Sequence, residues 1–145
     1  MDTPHPNEFN QRVIEEFRAR GGQVGGPFTG QPLLLLTTVG ARSGLPRTTP
    51  SVVYLPDGPD RLAVFASNGG APAAPAWYHN LTARPLVTVE VGARTYQARA
   101  TEATGEDRDR LWARQVADRP EFADFQARTS RRIPAVVLTP WHDPA

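Results

Sequence analysis

Apolar residues recur at helical spacing in Phe9, Val13, Ile14 and Phe17, which predicts an amphipathic helix from Asn7 to about Arg20. Gly21-Gly22 ends it, and the glycines from Gly21 to Gly26 follow a helix and precede a strand. That order is the reverse of a dinucleotide-binding turn, so they read as a connector. The run Leu33 to Val39 is apolar and β-branched throughout and predicts a buried strand. Gly40 to Pro46 form a turn, and Thr48 to Leu55 alternate loosely as a second strand, in which Pro50 requires an edge position or a bulge. Asp57-Gly58 marks a hairpin returning through a third strand, Arg61 to Ser67.

Asn68 to Pro75 is rich in Gly, Ala and Pro and reads as a loop. Pro75 suits the first turn of a short helix running to about Ala83. Leu86 to Val91 and Arg94 to Thr101 form another hairpin. Thr104 and Asp107 give a capping-box-like start to a helix ending near Asp118, with Leu111, Trp112, Gln115 and Val116 on its inner side. A further helix covers Glu121 to Arg128, and Ala135 to Thr139 supplies a last strand. About six strands in hairpins with three or four peripheral helices describe a mainly β, α+β domain: an antiparallel barrel with helical decoration and not a βαβ repeat. One domain spans residues 1–145, with 1–6 and 141–145 expected to fray.

Composition narrows the chemistry. The chain has no cysteine, which excludes disulfides, thiol catalysis and thiolate metal sites. All sixteen basic residues are arginines, so Schiff-base lysine chemistry is excluded and an anion site must use guanidinium groups or backbone amides. A net charge of +1 gives no general attraction to nucleic acid. The longest apolar run, Leu33 to Leu36, is far short of the roughly 18 residues of a membrane span, and no leader-like series opens the chain. The expectation is a cytoplasmic protein. The polar face of the first helix mixes Glu15 and Glu16 with Arg12, Arg18 and Arg20, so contact with the inner membrane surface would be weak at most.

Two segments concentrate candidate chemistry. Gly40-Ala41-Arg42-Ser43-Gly44-Leu45-Pro46-Arg47, followed by Thr48, Thr49 and Pro50, places two arginines and several hydroxyls in and after a turn whose amides can form an anion nest. The plain alternative is a solvated turn. Its Ser43 is off-centre for a nucleophile elbow. Ala66-Ser67-Asn68-Gly69-Gly70 and then Pro75-Ala76-Trp77-Tyr78-His79-Asn80-Leu81 join a small-residue strand end to a helix start. There a flat ring can lie against backbone, and amide donors and the helix dipole favour electron-rich groups. Trp77 and Leu81, four apart, are equally suited to the core. His79 has no carboxylate beside it at metal-ligand spacing, and no catalytic dyad or triad can be assembled. If the chain is an enzyme, a cofactor must carry the chemistry.

In this order and spacing, those segments resemble the deazaflavin-dependent nitroreductases, also described as F420H2-dependent quinone reductases. The ending Arg132-Ile133-Pro134-Ala135-Val136-Val137-Leu138 fits as well, and the likeness runs from the first helix to Pro140. It implies a six-stranded antiparallel split β-barrel of the FMN-binding split-barrel type, holding coenzyme F420 and passing a hydride to a quinone-like or nitroaromatic acceptor. It implies that Arg42, Ser43 and Arg47, with Ala41, hold the phosphate and oligoglutamate tail. Thr48, Thr49, Pro50, Ser51 and Val52, with Ala66, Ser67 and Asn68, would line the deazaflavin. Ala76, Trp77, Tyr78, His79, Asn80 and Phe125 would contact the cofactor, and Val52, Ser67, Phe122 and Phe125 would line the acceptor pocket. Ala74 departs from the histidine that relatives commonly carry, and Val52, Phe122 and Phe125 stand where nitroimidazole-reducing relatives carry tyrosines. A pocket without those donors favours a planar, mostly apolar quinone over bicyclic nitroimidazoles. Two alternatives stay open: an FMN-using split-barrel oxidase or reductase, and a barrel that binds F420 or a hydrophobic ligand without catalysis.

Overall fold

The computed structural model describes residues 6–25 and 32–141. Helix α1 spans Pro6–Ala19, followed by β1 (Leu33–Val39), β2 (Pro46–Pro56) and β3 (Leu62–Phe65). Next come α2 (Ala76–Ala83), β4 (Leu86–Val91), β5 (Arg94–Glu102), α3 (Gly105–Asp118), α4 (Glu121–Ala127) and β6 (Ala135–Pro140). The strands close an antiparallel barrel in the order β1-β2-β3-β6-β5-β4. Parts of the sequence reading concerning Gly26 and both chain ends lie outside the described residues.

Strand alternation sorts the leucines of β1 into two layers. Leu34 and Leu36 join Val64, Val89, Val136 and Leu138 in the barrel interior, while Leu33 and Leu35 pack outward against Val13, Ile14 and Phe17 of α1. Phe9 does not belong to that seam. It is half exposed, because the stripe of α1 that meets the barrel begins at Val13. Helices α3 and α4 cover a separate outer face, where Leu111 and Phe122 pack with Leu55, Phe65, Ile133 and Val137. Asp57, in the β2–β3 hairpin, ties that face down by accepting two hydrogen bonds from Arg110 at 3.0 and 3.1 Å and one from Arg114 at 3.1 Å. The Arg110 guanidinium holds its carboxyl below the usual range.

Trp112 lies on the inner side of α3, half-buried and edge-on to Phe65 and Phe122. Two local expectations need correction. Thr104 precedes α3, but its side chain makes no capping bond, so the capping-box reading fails. The third strand is shorter than Arg61–Ser67, because its pairing with β6 ends at Phe65↔Ala135. Beyond it the chain turns sharply, with Asn68, Gly69 and Gly70 all at positive φ.

Gly70 is buried at that turn. A Cβ there would lie 2.6 Å from the carbonyl oxygen of Phe125 in α4, at a φ of +84° that L side chains rarely adopt. Gly70→Ala is therefore expected to lower unfolding stability by about 1–3 kcal/mol, from backbone strain together with the clash. Chemical denaturation checks it, and an unchanged midpoint would show that the loop and α4 are not seated together.

Candidate functional site

The barrel is closed but unevenly paired. Strand β2 is hydrogen-bonded along β1 from Pro46 to Val53, yet it meets the short β3 only at Tyr54, Leu55 and Pro56. The leading half of β2 thus has no strand partner on its β3 side among the described residues. A cleft of about 750 Å³ opens there, within the size range of small-molecule sites. Its walls are Thr49, Pro50, Val52 and Val53 of β2, Ser67, Asn68 and Gly69 of the turn after β3, Ala74 to Trp77, and Phe65, Glu121, Phe122 and Phe125.

Pairing within β2 aims the lining residues. Thr49 faces Leu36 and Val52 faces Leu34, so Pro50 and Ser51 together oppose Leu35 in a bulge. Both sequence alternatives for Pro50 are met: it sits in the bulge, on the stretch of β2 that β3 does not reach. Strict alternation would place Thr49 and Val52 on opposite faces. The extra residue lets both line the cleft.

A second groove of about 500 Å³ runs on from the first and shares Thr49, Ala76 and Trp77 with it. Gly40, Ala41, Arg42, Ser43, Arg47, His79 and Asn80 form the remainder. The β1–β2 turn is held by its own bonds: the Gly40 amide donates to Leu45 O at 2.8 Å, the Gly44 amide to Gly40 O at 2.9 Å, and the Leu45 amide to Ser43 Oγ at 3.2 Å. A Cβ on Gly40 would meet Ser43 Oγ, so a side chain there would make that hydroxyl rotate out of its bond with the Leu45 amide. Asn80 then fastens the turn to α2. Its Nδ2 donates to Thr38 Oγ1 at 3.1 Å and its Oδ1 accepts from the Ala41 amide at 3.0 Å. Among the described residues, the exposed guanidinium groups of Arg42 and Arg47 make no ion pair, and the amides of Arg42 and Ser43 have no partner. The first-turn amides of Ala76 and Trp77 also have no partner among the described residues, at the junction of the two spaces. This turn can grip an anion, and the cleft beside it can hold a flat, largely apolar group.

The sequence-derived set divides on this geometry. Brought together are Ala41, Arg42, Ser43 and Arg47 in the groove, Thr49, Pro50, Val52, Ser67 and Asn68 in the cleft, and Ala76, Trp77, His79 and Asn80 along α2. Trp77 does both tasks proposed for it, packing in the barrel core while lining both spaces. Phe122 and Phe125 are both present, edge-to-face at 5.1 Å, but only Phe122 is deeply buried. Three residues lie elsewhere. Thr48 points to the other face of β2, bonded to Thr37 Oγ1 at 2.8 Å. Ala66 is buried in the barrel interior. Tyr78 turns away because successive helical residues diverge by about 100°, and its hydroxyl donates to Glu102. The side chain of Ser51 lies outside what the structure describes.

Sequence reasoning missed Val53, Phe65 and Glu121 among the lining residues, whereas Gly69 belongs to a segment it singled out. The first two follow from where β3 pairing stops, which no local pattern encodes. Glu121 had a signal, as the first residue of the helix that carries Phe122 and Phe125. It puts a carboxylate on the wall of the cleft, outside the groove that carries Arg42 and Arg47.

Comparison with known proteins agrees with this architecture. A family model described as F420H(2)-dependent quinone reductase matches residues 10–140. An F420H(2)-dependent quinone reductase of Mycobacterium tuberculosis is 42% identical over 129 residues, which cover 85% of this chain and 84% of the relative. A solved F420-H2 dependent reductase is 36% identical with a TM-score of 0.67, covering 74% of this chain and 93% of its own. Another solved chain, described as a domain-swapped dimer, is 32% identical with a TM-score of 0.70, covering 92% of this chain and 99% of its own.

The position of Tyr78 has a measurable consequence. Burial first, and then its bond to Glu102, push its phenol up to about 12 from an ordinary value near 10. The fold favours the protonated form, so this contribution is complete below pH about 10 and is lost as pH rises through about 12. Tyr78→Phe should delete a phenolate transition near pH 12 from the alkaline ultraviolet titration. Loss of a transition near the ordinary value of about 10 instead would place the Tyr78 hydroxyl in water.

Proposed function

The chain belongs to the F420H(2)-dependent quinone reductase family and is an F420H2-dependent oxidoreductase with a quinone-type acceptor; from that premise we propose that the two joined spaces beside β2 hold the cofactor and the acceptor. The observation that carries the reading is the junction itself. A groove bearing two arginines without ion pairs opens, at Thr49, Ala76 and Trp77, directly into a cleft walled mostly by apolar side chains.

Charge sets the orientation. Arg42 and Arg47, with the amides of Arg42 and Ser43, would hold the phosphate and glutamate carboxylates of the tail through charge-assisted bonds. Glu121, which borders the cleft and not the groove, disfavours the reverse placement. Thr49, Pro50, Val52, Ser67 and Asn68 would then border the deazaflavin, with Ala76 and Trp77 at its junction with the tail. The reduced deazaflavin supplies the hydride, so the protein needs no nucleophile. What the chain contributes is alignment and exclusion of water. Asn80 fixes the anion-binding turn against α2, the bulge aims Thr49 and Val52 into one space, and Phe65, Phe122 and Phe125 wall the cleft. His79 lines the groove without a carboxylate partner and would contact the tail.

Among cleft residues, Val52, Phe122 and Phe125 carry no hydrogen-bond donor where the acceptor would lie. This supports a planar, apolar quinone over a nitroaromatic compound whose developing charge needs donors. No helix among the described residues is long and apolar enough to cross a membrane. Titration of the purified protein with F420 and, separately, with FMN, followed by quinone-dependent oxidation of F420H2, tests the reading. F420 binding with turnover supports it; preference for FMN, or binding without turnover, would favour one of the two alternatives.

Two substitution tests follow. Arg42→Ala and Arg47→Ala should each weaken F420 binding by about 1.5–3 kcal/mol, with lysine restoring only part of the loss because it cannot reproduce the guanidinium fork. Unchanged dissociation constants in both would remove these residues from the site. Phe125→Tyr should leave F420 affinity nearly unchanged and raise nitroimidazole turnover relative to that of menadione-like quinones. Phe122→Tyr instead buries its hydroxyl in the outer core and should cost about 1–3 kcal/mol of stability. An unaltered activity ratio in Phe125→Tyr would show that this ring only packs.

A further inference from the structure

Two walls of the cleft have no backbone pairing with each other: the turn Ser67–Gly69 and helix α4, which carries Phe122 and Phe125. Two residues bond to both: Arg128, at the end of α4, donates through Nη1 to Gly69 O at 3.4 Å, and Arg131 makes the larger set of bonds. The guanidinium of Arg131 donates to three main-chain carbonyls of the turn region, through Nε to Ala71 O at 3.0 Å, Nη1 to Ala66 O at 3.1 Å and Nη2 to Ser67 O at 2.8 Å. Its own carbonyl accepts from Gln126 Nε2 of α4 at 2.7 Å, and Gln126 Oε1 accepts from the Ile133 amide at 3.0 Å.

This turn needs such support. Asn68, Gly69 and Gly70 all sit at positive φ, which for Asn68 is an uncommon conformation. Ser67 O also accepts from the Gly70 amide at 2.9 Å, but Ala66 O and Ala71 O have no other donor among the described residues, and part-buried carbonyls require one. A planar group with five donors can serve three carbonyls together; an ammonium on a flexible stem carries the same charge but cannot span them.

We propose that Arg131 is a positioning residue for hydride transfer: by clamping the Ala66–Ala71 backbone on one side and α4 on the other, it sets the width of the cleft in which donor and acceptor meet. This rests on the cleft being the deazaflavin and acceptor site. Arg131 lies outside the groove containing Arg42 and Arg47, so its removal acts on alignment more than on tail binding. Misplacement of reacting groups by about 1 Å costs on the order of a hundredfold in rate, whereas tail contacts are indifferent to it.

The test uses Arg131→Lys, with Gln126→Glu as a second variant. Gln126→Glu keeps an acceptor for the Ile133 amide and turns the donor to Arg131 O into an oxygen that repels it, so it opens the α4 side of the clamp and reports on it if Arg131→Lys does not fold. Three quantities are read on each protein: hydrogen exchange of the 67–71 amides without cofactor, the F420 dissociation constant by fluorescence, and kcat and KM for menadione. For Arg131→Lys, the proposal expects exchange in that segment about tenfold faster, an F420 dissociation constant within about threefold of the unmodified protein, and kcat lowered by about 10–100-fold. Gln126→Glu should move in the same direction by a smaller factor. Protected amides together with unchanged kcat in a folded variant would overturn the role of Arg131. Failure of the unmodified protein to bind F420 would instead overturn the reading of the cleft on which the proposal rests.

Discussion

An eleven-residue strand flanked on one side by a four-residue strand cannot be sealed by backbone hydrogen bonds along its whole length. In this barrel β3 reaches only the last three residues of β2 that it can pair, and the rest of the structure is arranged around the gap. The cleft forms where pairing stops. The turn at Asn68–Gly70 carries the chain away from the sheet, and α2 brings Trp77 to the opening. Helix α4 covers the outer side. A barrel with fully matched strands would have a core but no slot; here the core and the site share Val52 and Trp77.

Sharing residues in this way couples stability to function. Trp77 belongs to the barrel interior, and Phe122 belongs to the outer core beneath α3 and α4, yet both border the cleft. The more adaptable positions are those that line the space with less of their surface committed to the cores, such as Ala74, Glu121 and the half-buried Phe125. These are the places where acceptor preference can change at small cost to folding. The groove is organised differently. Its turn is closed by its own backbone bonds and pinned by Asn80, so Arg42 and Arg47 project from a preformed frame, which lowers the entropy lost on gripping an anion.

Much of this was legible in the sequence. The leucine run of β1, the Asp57-Gly58 hairpin and the helices after Pro75 and Thr104 carry strong local signals. Pro50 announced an irregularity that the sheet realises as a bulge. Reading failed where the deciding interaction was distant. Arg61, Ala66 and Ser67 suit a strand, but β3 ends where its partners run out. Phe9 fits the period of α1 but lies past the barrel surface. Thr48 and Tyr78 were grouped with their sequence neighbours, although strand alternation and the helical turn send them to other faces. Arg131 looked like an ordinary arginine before the last strand, since its three carbonyl partners are about sixty residues away in sequence.

The central claim is that the two spaces form one site, with the arginine-bearing groove holding the tail of a cofactor whose ring lies in the cleft. The most direct measurement compares the dissociation constant of intact F420 with that of the deazaflavin nucleus lacking phosphate and glutamates, at fixed moderate salt. Two charge-assisted arginine contacts, each contributing about 1.5–3 kcal/mol, predict that the intact cofactor binds at least a hundredfold more tightly, with the advantage shrinking as salt rises. Equal affinity for the two compounds would contradict the account, because it would leave the Arg42–Arg47 groove outside the cofactor site.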